Sequence, residues 1–447
     1  MAKIAPFRGL RYNLDLVGDP SQVISPPYDS ISPSLQQALY ARSPFNVVRL
    51  VLGEEFPADD SLNNRYSRAA ADFALWQQQG VLQREQQPSL YLYDQEFIND
   101  VGQREVRQGF MALVRLEDFF SGVIKPHEQT LPTVRQDRLN LIQACQGNLS
   151  PIFSVYSDPC GVLEVLTKRE KTQPPAMHVT DDDGVQHRLW AVSDPGLLKK
   201  AHDLLDSKTL FLADGHHRYE AALAYRDAMR AQHPGYTGKE QFNYVLMYFT
   251  NMETQGMLIR PTHRLIGPLQ NFQVEFFLGR LQHFFEVETV SFALQTSQGR
   301  SAARDALTQR GQQRHTLGFY FGGDDLLFLS LRDDRVMDQY FEAKAPKVLR
   351  LLDVSVLHRL VLEDLLQLPP GSGSGEVGYV RSFDEAIAEV QRGECQFSVL
   401  MNPTCMKDVR DVANAGEKMP QKSSYFDPKL LSGLVFQKIV LDETIAS

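Results

Sequence analysis

Residues Leu210 to Tyr225 read LFLADGHHRYEAALAY, and the fold reading starts there. Four apolar residues (Leu210, Phe211, Leu212, Ala213) have strand character, Asp214 and Gly215 form a turn, and a helix-favouring run opens at once with His216, His217 and Arg218. A strand that passes through glycine into a helix leaves the first helical N–H groups without intrahelical partners. Together with the positive end of the helix macrodipole they favour an anion. Basic side chains in a first turn oppose that dipole unless something negative sits among them, so phosphate is the expected occupant. A plain structural turn with solvated histidines, and a metal site of Asp214, His216 and His217, are the competing readings. Successive helical residues point about 100° apart, so both histidines share one metal only if the turn is irregular.

Outward from that turn, strand-like and helical segments alternate. Before it, the pattern predicts a proline-stiffened loop at Ser25–Pro33, a helix over Ser61–Gln79, strands at Leu90–Tyr93 and Gly109–Leu116, a helix over Val134–Cys145 and a strand ending at Tyr156. After it, Asn243–Phe249 reads as a buried strand, making a strand–turn–helix–strand unit whose anion site lies at the strand's carboxyl end. Farther on, a helix is expected over Val274–Phe285. HTLGFYF and LLFLSL flank the turn Gly322–Asp325 as a hairpin, and a helix is expected over Asp353–Leu366. LPPGSGSGEVG reads as a flexible connection, followed by a helix at Asp384–Gln391 and a strand at Gln396–Leu400. The fold class is mixed α+β, divided as 1–120, a core of 121–268 that carries the DGHHR turn, and 269–447.

With 447 residues the chain exceeds one compact core, and its 43% hydrophobic and 23% charged content is ordinary for a globular protein. The net charge of −9 argues against a general nucleic-acid coating surface, so small molecules are the expected partners, and a homo-oligomer is compatible with the sequence. No apolar run is long enough to span a bilayer and the N-terminus lacks a secretory core, from which a cytoplasmic location is expected. Cys145, Cys160, Cys395 and Cys405 are scattered, and buried free thiols are the default expectation.

Other polar clusters lie in turn-rich sequence: PPYD (Pro26–Asp29), PHEQT (Pro126–Thr130), RPTHR (Arg260–Arg264), NPT (Asn402–Thr404) and EKMPQKSSYF (Glu417–Phe426). Each alone reads equally well as a cap, a turn or surface charge; together they resemble the wall of one polar pocket. Gly215, His216, His217, Arg218, Arg260, His263, Arg264, Lys418 and Lys422 are the candidate phosphate- or nucleotide-binding residues. Glu128, His127, His217 and Asp214 are the catalytic candidates, and Asp214 with Asp29 the candidates for a metal. That inventory suits phosphoryl transfer with Mg²⁺ and ATP or ADP. No GxSxG, HExxH or Walker pattern is present, and no GxGxxG opens a Rossmann unit.

PPYDSIS, PHEQT, NLSPIFSVYSD, FLADGHHRYEAAL, RPTHRL, NPT and GEKMPQKSSYFDPKLLSGLV, in this order, resemble the widespread prokaryotic family known as domain of unknown function 1015. The DGHHR segment alone is similar to the phosphate-binding turn of the ParB/sulfiredoxin superfamily. There, free-serine kinases carry Asp-Gly-His-His-Arg, and sulfiredoxins carry a cysteine where this chain has His216. The resemblance implies a ParB/sulfiredoxin-like nucleotide-binding core with additional α+β regions. It implies that Asp214 to Arg218 cradle nucleotide phosphates, and that oxidised-cysteine repair is excluded. The family's genes commonly neighbour those of early serine synthesis, which suits serine or phosphoserine as the substrate of a kinase or phosphatase. Rival readings are a ParB-like nucleotide-binding regulator and a metal-dependent hydrolase using His127, His216, His217 and His263.

Overall fold

The computed structural model describes residues 1–99, 102–368, 376–420 and 422–445. Much of the expected glycine-serine connection, at 369–375, therefore lies outside the described residues. The chain divides into two compact units. The first holds residues 1–126, 130–258 and 428–447, and the second holds 127–129 and 259–427. The expected boundary between 120 and 121 falls inside the first unit and that between 268 and 269 inside the second. Composition does not show that the last twenty residues return to the first unit, because strand pairing at long range leaves no local signal.

The first unit is organised by a nine-stranded sheet. In chain order its strands are β1 (Ile4–Ala5), β2 (Leu90–Ile98), β3 (Arg104–Arg115), β4 (Ile124–Lys125), β5 (Ile152–Tyr156), β6 (Met177–Thr180), β7 (Gln186–Val192), β8 (Leu210–Asp214) and β9 (Tyr244–Asn251). Spatially they run β4–β8–β5–β9–β3–β2–β7–β6, with β1 paired to β3. β8 runs parallel to β4 and antiparallel to β5, while β5 and β9 are parallel. β8 and β9 are thus separated by β5 and oppositely directed.

Burial on both faces explains the apolar strand sequences. Leu92, Phe110, Ala112, Ile152, Leu212, Met247 and Phe249 share one core with Tyr219 and Ala222. Those two residues belong to the helix that follows β8. Helix α1 (Arg65–Gln78) opens on a reciprocal cap between Asn64 and Ser67, and the expected 134–145 helix forms as α2 (Pro132–Cys145) with proline at its start. Helix α3 (His216–Gln232) buries His216, Tyr219, Ala222, Tyr225 and Met229, spaced by three or four residues as one helical face requires.

The second unit carries an antiparallel six-stranded sheet. Its strands are β10 (His263–Ile266), β11 (Phe285–Ser291), β12 (Thr316–Tyr320), β13 (Asp325–Leu331), β14 (Val377–Val380) and β15 (Phe397–Leu400), in spatial order β11–β13–β12–β15–β10–β14. The expected hairpin forms as β12 and β13, with Gly322 and Gly323 at φ 111° and 76°, a region that favours glycine. The helix expected over Val274–Phe285 stops at Leu281, because Phe285 pairs with Leu331 as the first residue of β11. The helix expected over Asp353–Leu366 winds more widely: Val356–Leu365 is a π-helix, with Leu366 N–H donating to the Val361 carbonyl five residues back.

Candidate functional site

In the first unit the DGHHR turn is built as the sequence anticipates. β8 ends at Asp214, and Gly215 sits at φ 91°, ψ 27° as the residue before α3. Glycine is required there twice over. The left-handed backbone disfavours other residues, and a Cβ would lie 2.9 Å from Arg218 Nη2 and 3.0 Å from its Nε. The guanidinium lies over the turn rather than extending into solvent, and its side chain is 12% exposed.

One carboxylate organises this turn. Arg218 Nη2 donates to Asp214 Oδ2 at 2.7 Å, Lys429 Nζ donates to Asp214 Oδ1 at 2.8 Å, and Arg218 Nη1 donates to the Pro151 carbonyl. Burial opposes ionisation of Asp214, but the Lys429 ammonium and Arg218 guanidinium outweigh it and hold the carboxyl well below the usual carboxylate range. Two cations around one anion leave a surplus positive charge at the positive end of α3. Arg218 Nε is buried without a hydrogen-bond partner, and Arg218 lines a cavity of about 40 Å³ with Tyr28, Arg138, Asn148 and Ser150. PPYD and NLSP thus contribute to the same place as DGHHR. The Arg138 guanidinium stacks 3.9 Å from the Tyr28 ring centre, and burial with nearby Asp29 pushes the Tyr28 phenol up to about 12.

The two histidines differ. His216 is buried at 3% exposure. His217 Nε2 accepts the Leu131 N–H at 2.9 Å, which leaves the ring neutral with its proton on Nδ1. One helical turn on, Glu220 accepts from Thr130 Oγ1 at 2.5 Å, tying α3 to the start of α2.

The two residues read as metal candidates, Asp214 and Asp29, differ in setting. Both Asp214 oxygens already accept from cations, Asp29 is exposed, and among the described residues no group of three or more His, Cys, Asp or Glu could hold a metal ion. A phosphate fits the turn better, since orphaned Arg218 Nε and the side-chain-free Gly215 both suit an oxyanion.

His127, Glu128, Arg260, His263, Arg264, Lys418 and Lys422 belong to the second unit. His127 is fully buried, with Nε2 2.7 Å from Ser424 Oγ and its carbonyl accepting the Met419 N–H. It fastens the PHEQT loop to the EKMPQKSSYF segment. Glu128 is half-buried. Arg260 is held by Asp427 at 2.6 Å. His263 is 2% exposed in β10 and accepts the Met401 N–H on Nδ1 at 3.0 Å; burial and neighbouring Arg264 pull it down to about 3. It stays neutral, which corrects its expected place in a charge clamp. The Lys422 side chain is exposed, and its backbone carbonyl accepts from Arg264. Asn402 of NPT donates to the Thr316 carbonyl, a structural tie. Cys145 and Cys395 are buried as expected, whereas Cys160 and Cys405 are exposed.

Sequence analysis missed Lys429, because nothing near DPKLL marks a lysine bound to a residue 215 positions earlier. It also missed the π-helix, whose apolar spacing reads as an ordinary helix.

The family described as "Protein of unknown function (DUF1015)" matches residues 4–355. No curated protein sequence matches the chain. Among solved structures, a free serine kinase in complex with AMP is similar at 13% identity and a TM-score of 0.33, over 75% of this chain and 93% of that one. A mutant of a free serine kinase in complex with ADP is similar at 12% identity and a TM-score of 0.34, over the same shares. SbnI with C-terminal truncation from Staphylococcus aureus is similar at 13% identity and a TM-score of 0.33, over 74% of this chain and 89% of that one. Among the described residues no helix is long and apolar enough to cross a membrane.

Proposed function

For this chain, which belongs to the DUF1015 family, we propose phosphoryl transfer to or from a small hydroxylated metabolite, with serine or phosphoserine as the substrate class and ATP or ADP as the nucleotide. The observation that carries the reading is the turn at Gly215. A left-handed glycine opens α3, and the Arg218 guanidinium, fixed by Asp214, lies across the helix's first turn. The dipole, the amides of that turn and the surplus charge from Lys429 all act on the same small volume. Such a place stabilises phosphoryl oxygens in the ground state and, more strongly, as charge develops on them during transfer.

His217, with Nε2 accepting the Leu131 N–H, would hold the first turn of α3 in place beside the phosphate. Arg218 would supply the charge. Asp214 acts as a positioning group, since both of its oxygens are committed to cations. A divalent ion, where the nucleotide needs one, would arrive on the nucleotide's own phosphates. Kinase and phosphatase directions use the same cradle.

The test incubates the purified protein with ATP or ADP plus serine, and separately with phosphoserine, following nucleotide and phosphate products. Turnover in one mixture, reduced in His217→Ala, is expected. Absence of turnover in both removes serine and phosphoserine from the reading.

A further inference from the structure

The second unit contains a buried cation without a counter-ion. Arg264, on β10, is 1% exposed, and its donors go to neutral acceptors: the Thr262 carbonyl, the Lys422 carbonyl at 3.2 Å and His358 Nε2 at 3.1 Å. No carboxylate lies within ion-pair distance of it among the described residues, and its Nε has no partner. A guanidinium remains charged even where burial draws its pKa down, here to about 10. Burying such a charge unpaired is costly unless an anion joins it.

Its neighbours open onto a cavity of about 770 Å³, a volume typical of small-molecule sites. His358 and Tyr379 line it, and the Arg264 guanidinium carbon lies 5.3 Å from the Tyr379 ring centre. Because Arg264 donates to His358 Nε2, the imidazole carries its proton on Nδ1, and that N–H has no protein acceptor among the described residues. Burial and the charges of Arg264 and Arg359 hold His358 neutral, at about 3. The wall also carries Arg359 paired with Glu363 at 2.7 Å, Lys344 paired with Glu342 at 3.0 Å, and the neighbouring Glu417 and Lys418, so its acidic and basic side chains are equal in number. His358, Arg359 and Glu363 all lie on the π-helix, a rare geometry that recurs at binding sites.

We propose that this cavity binds a small organic oxyanion, a carboxylate or a phosphate ester, whose head group accepts the His358 Nδ1–H and compensates Arg264. The residues of this cavity all belong to the second unit.

Calorimetric titration with inorganic phosphate and, in a separate arm, acetate tests this on the full chain carrying Arg218→Met, which weakens the first-unit site. Binding of one probe is expected, and which one binds separates a phosphate ester from a carboxylate. His358→Leu in the same background should weaken that binding at least about tenfold, the loss of one charge-assisted hydrogen bond. In ¹⁵N-histidine protein without the leucine change, the bound probe should shift the His358 Nδ1–H signal, a readout that survives if the leucine variant fails to fold. No binding of either probe in the Arg218→Met protein, or binding with the His358 signal unmoved, overturns the proposal.

Discussion

Arg218 reaches back one helical turn to Asp214, with Nη2 and Oδ2 2.7 Å apart across the left-handed Gly215. The pair does two things. It fixes the guanidinium over the first turn of α3, and it keeps Asp214 ionised so that Lys429 is retained on the other oxygen.

Replacing Gly215 is expected to damage both backbone and site. In Gly215→Ala, a Cβ would enter the space of the Arg218 guanidinium at a φ of 91°. A loss of about 1–2 kcal/mol is expected from the positive φ. Urea unfolding gives that loss, and phosphate titration should show weaker binding alongside it. A fully stable variant would mean that the turn relaxes without cost.

Removing the carboxylate should cost more than removing either cation. Asp214→Asn leaves Lys429 and Arg218 facing each other without their shared anion, and a loss of about 3 kcal/mol is expected for breaking such a buried cluster. Lys429→Met leaves the Arg218 pair in place and should be milder. Denaturant midpoints of the two variants check the order.

Much of this was legible in the sequence. The strand, glycine and helix at 210–225 form where the pattern placed them, because apolar alternation, a positive-φ glycine and helical spacing are local signals. The hairpin at Gly322 and Gly323 is legible for the same reason. Pairing partners were not. His127 and His263 looked like site residues because polar residues in turn-rich motifs usually do, yet each is buried and bonded to a distant group, Ser424 and Met401. Likewise Arg264 and His358 are separated by 94 positions and meet only through the fold.

His263 gives the second unit an acid sensitivity. Its folded pKa of about 3 lies below the ordinary value of 6.5, so between those values the unfolded chain binds a proton that the folded chain does not. Stability must then fall as the pH drops from about 6.5 towards 3, by up to about 1.4 kcal/mol per pH unit for this one residue. Denaturant unfolding of wild type and His263→Gln across that range should show a shallower slope in the variant. Equal slopes would show that His263 titrates normally.

The most direct test of the phosphate turn is a crystal structure of the protein grown with ADP. A phosphate oxygen within hydrogen-bond distance of the His217 and Arg218 backbone amides, beside Gly215, is the predicted result. ADP bound with its phosphates away from the start of α3 would contradict the account.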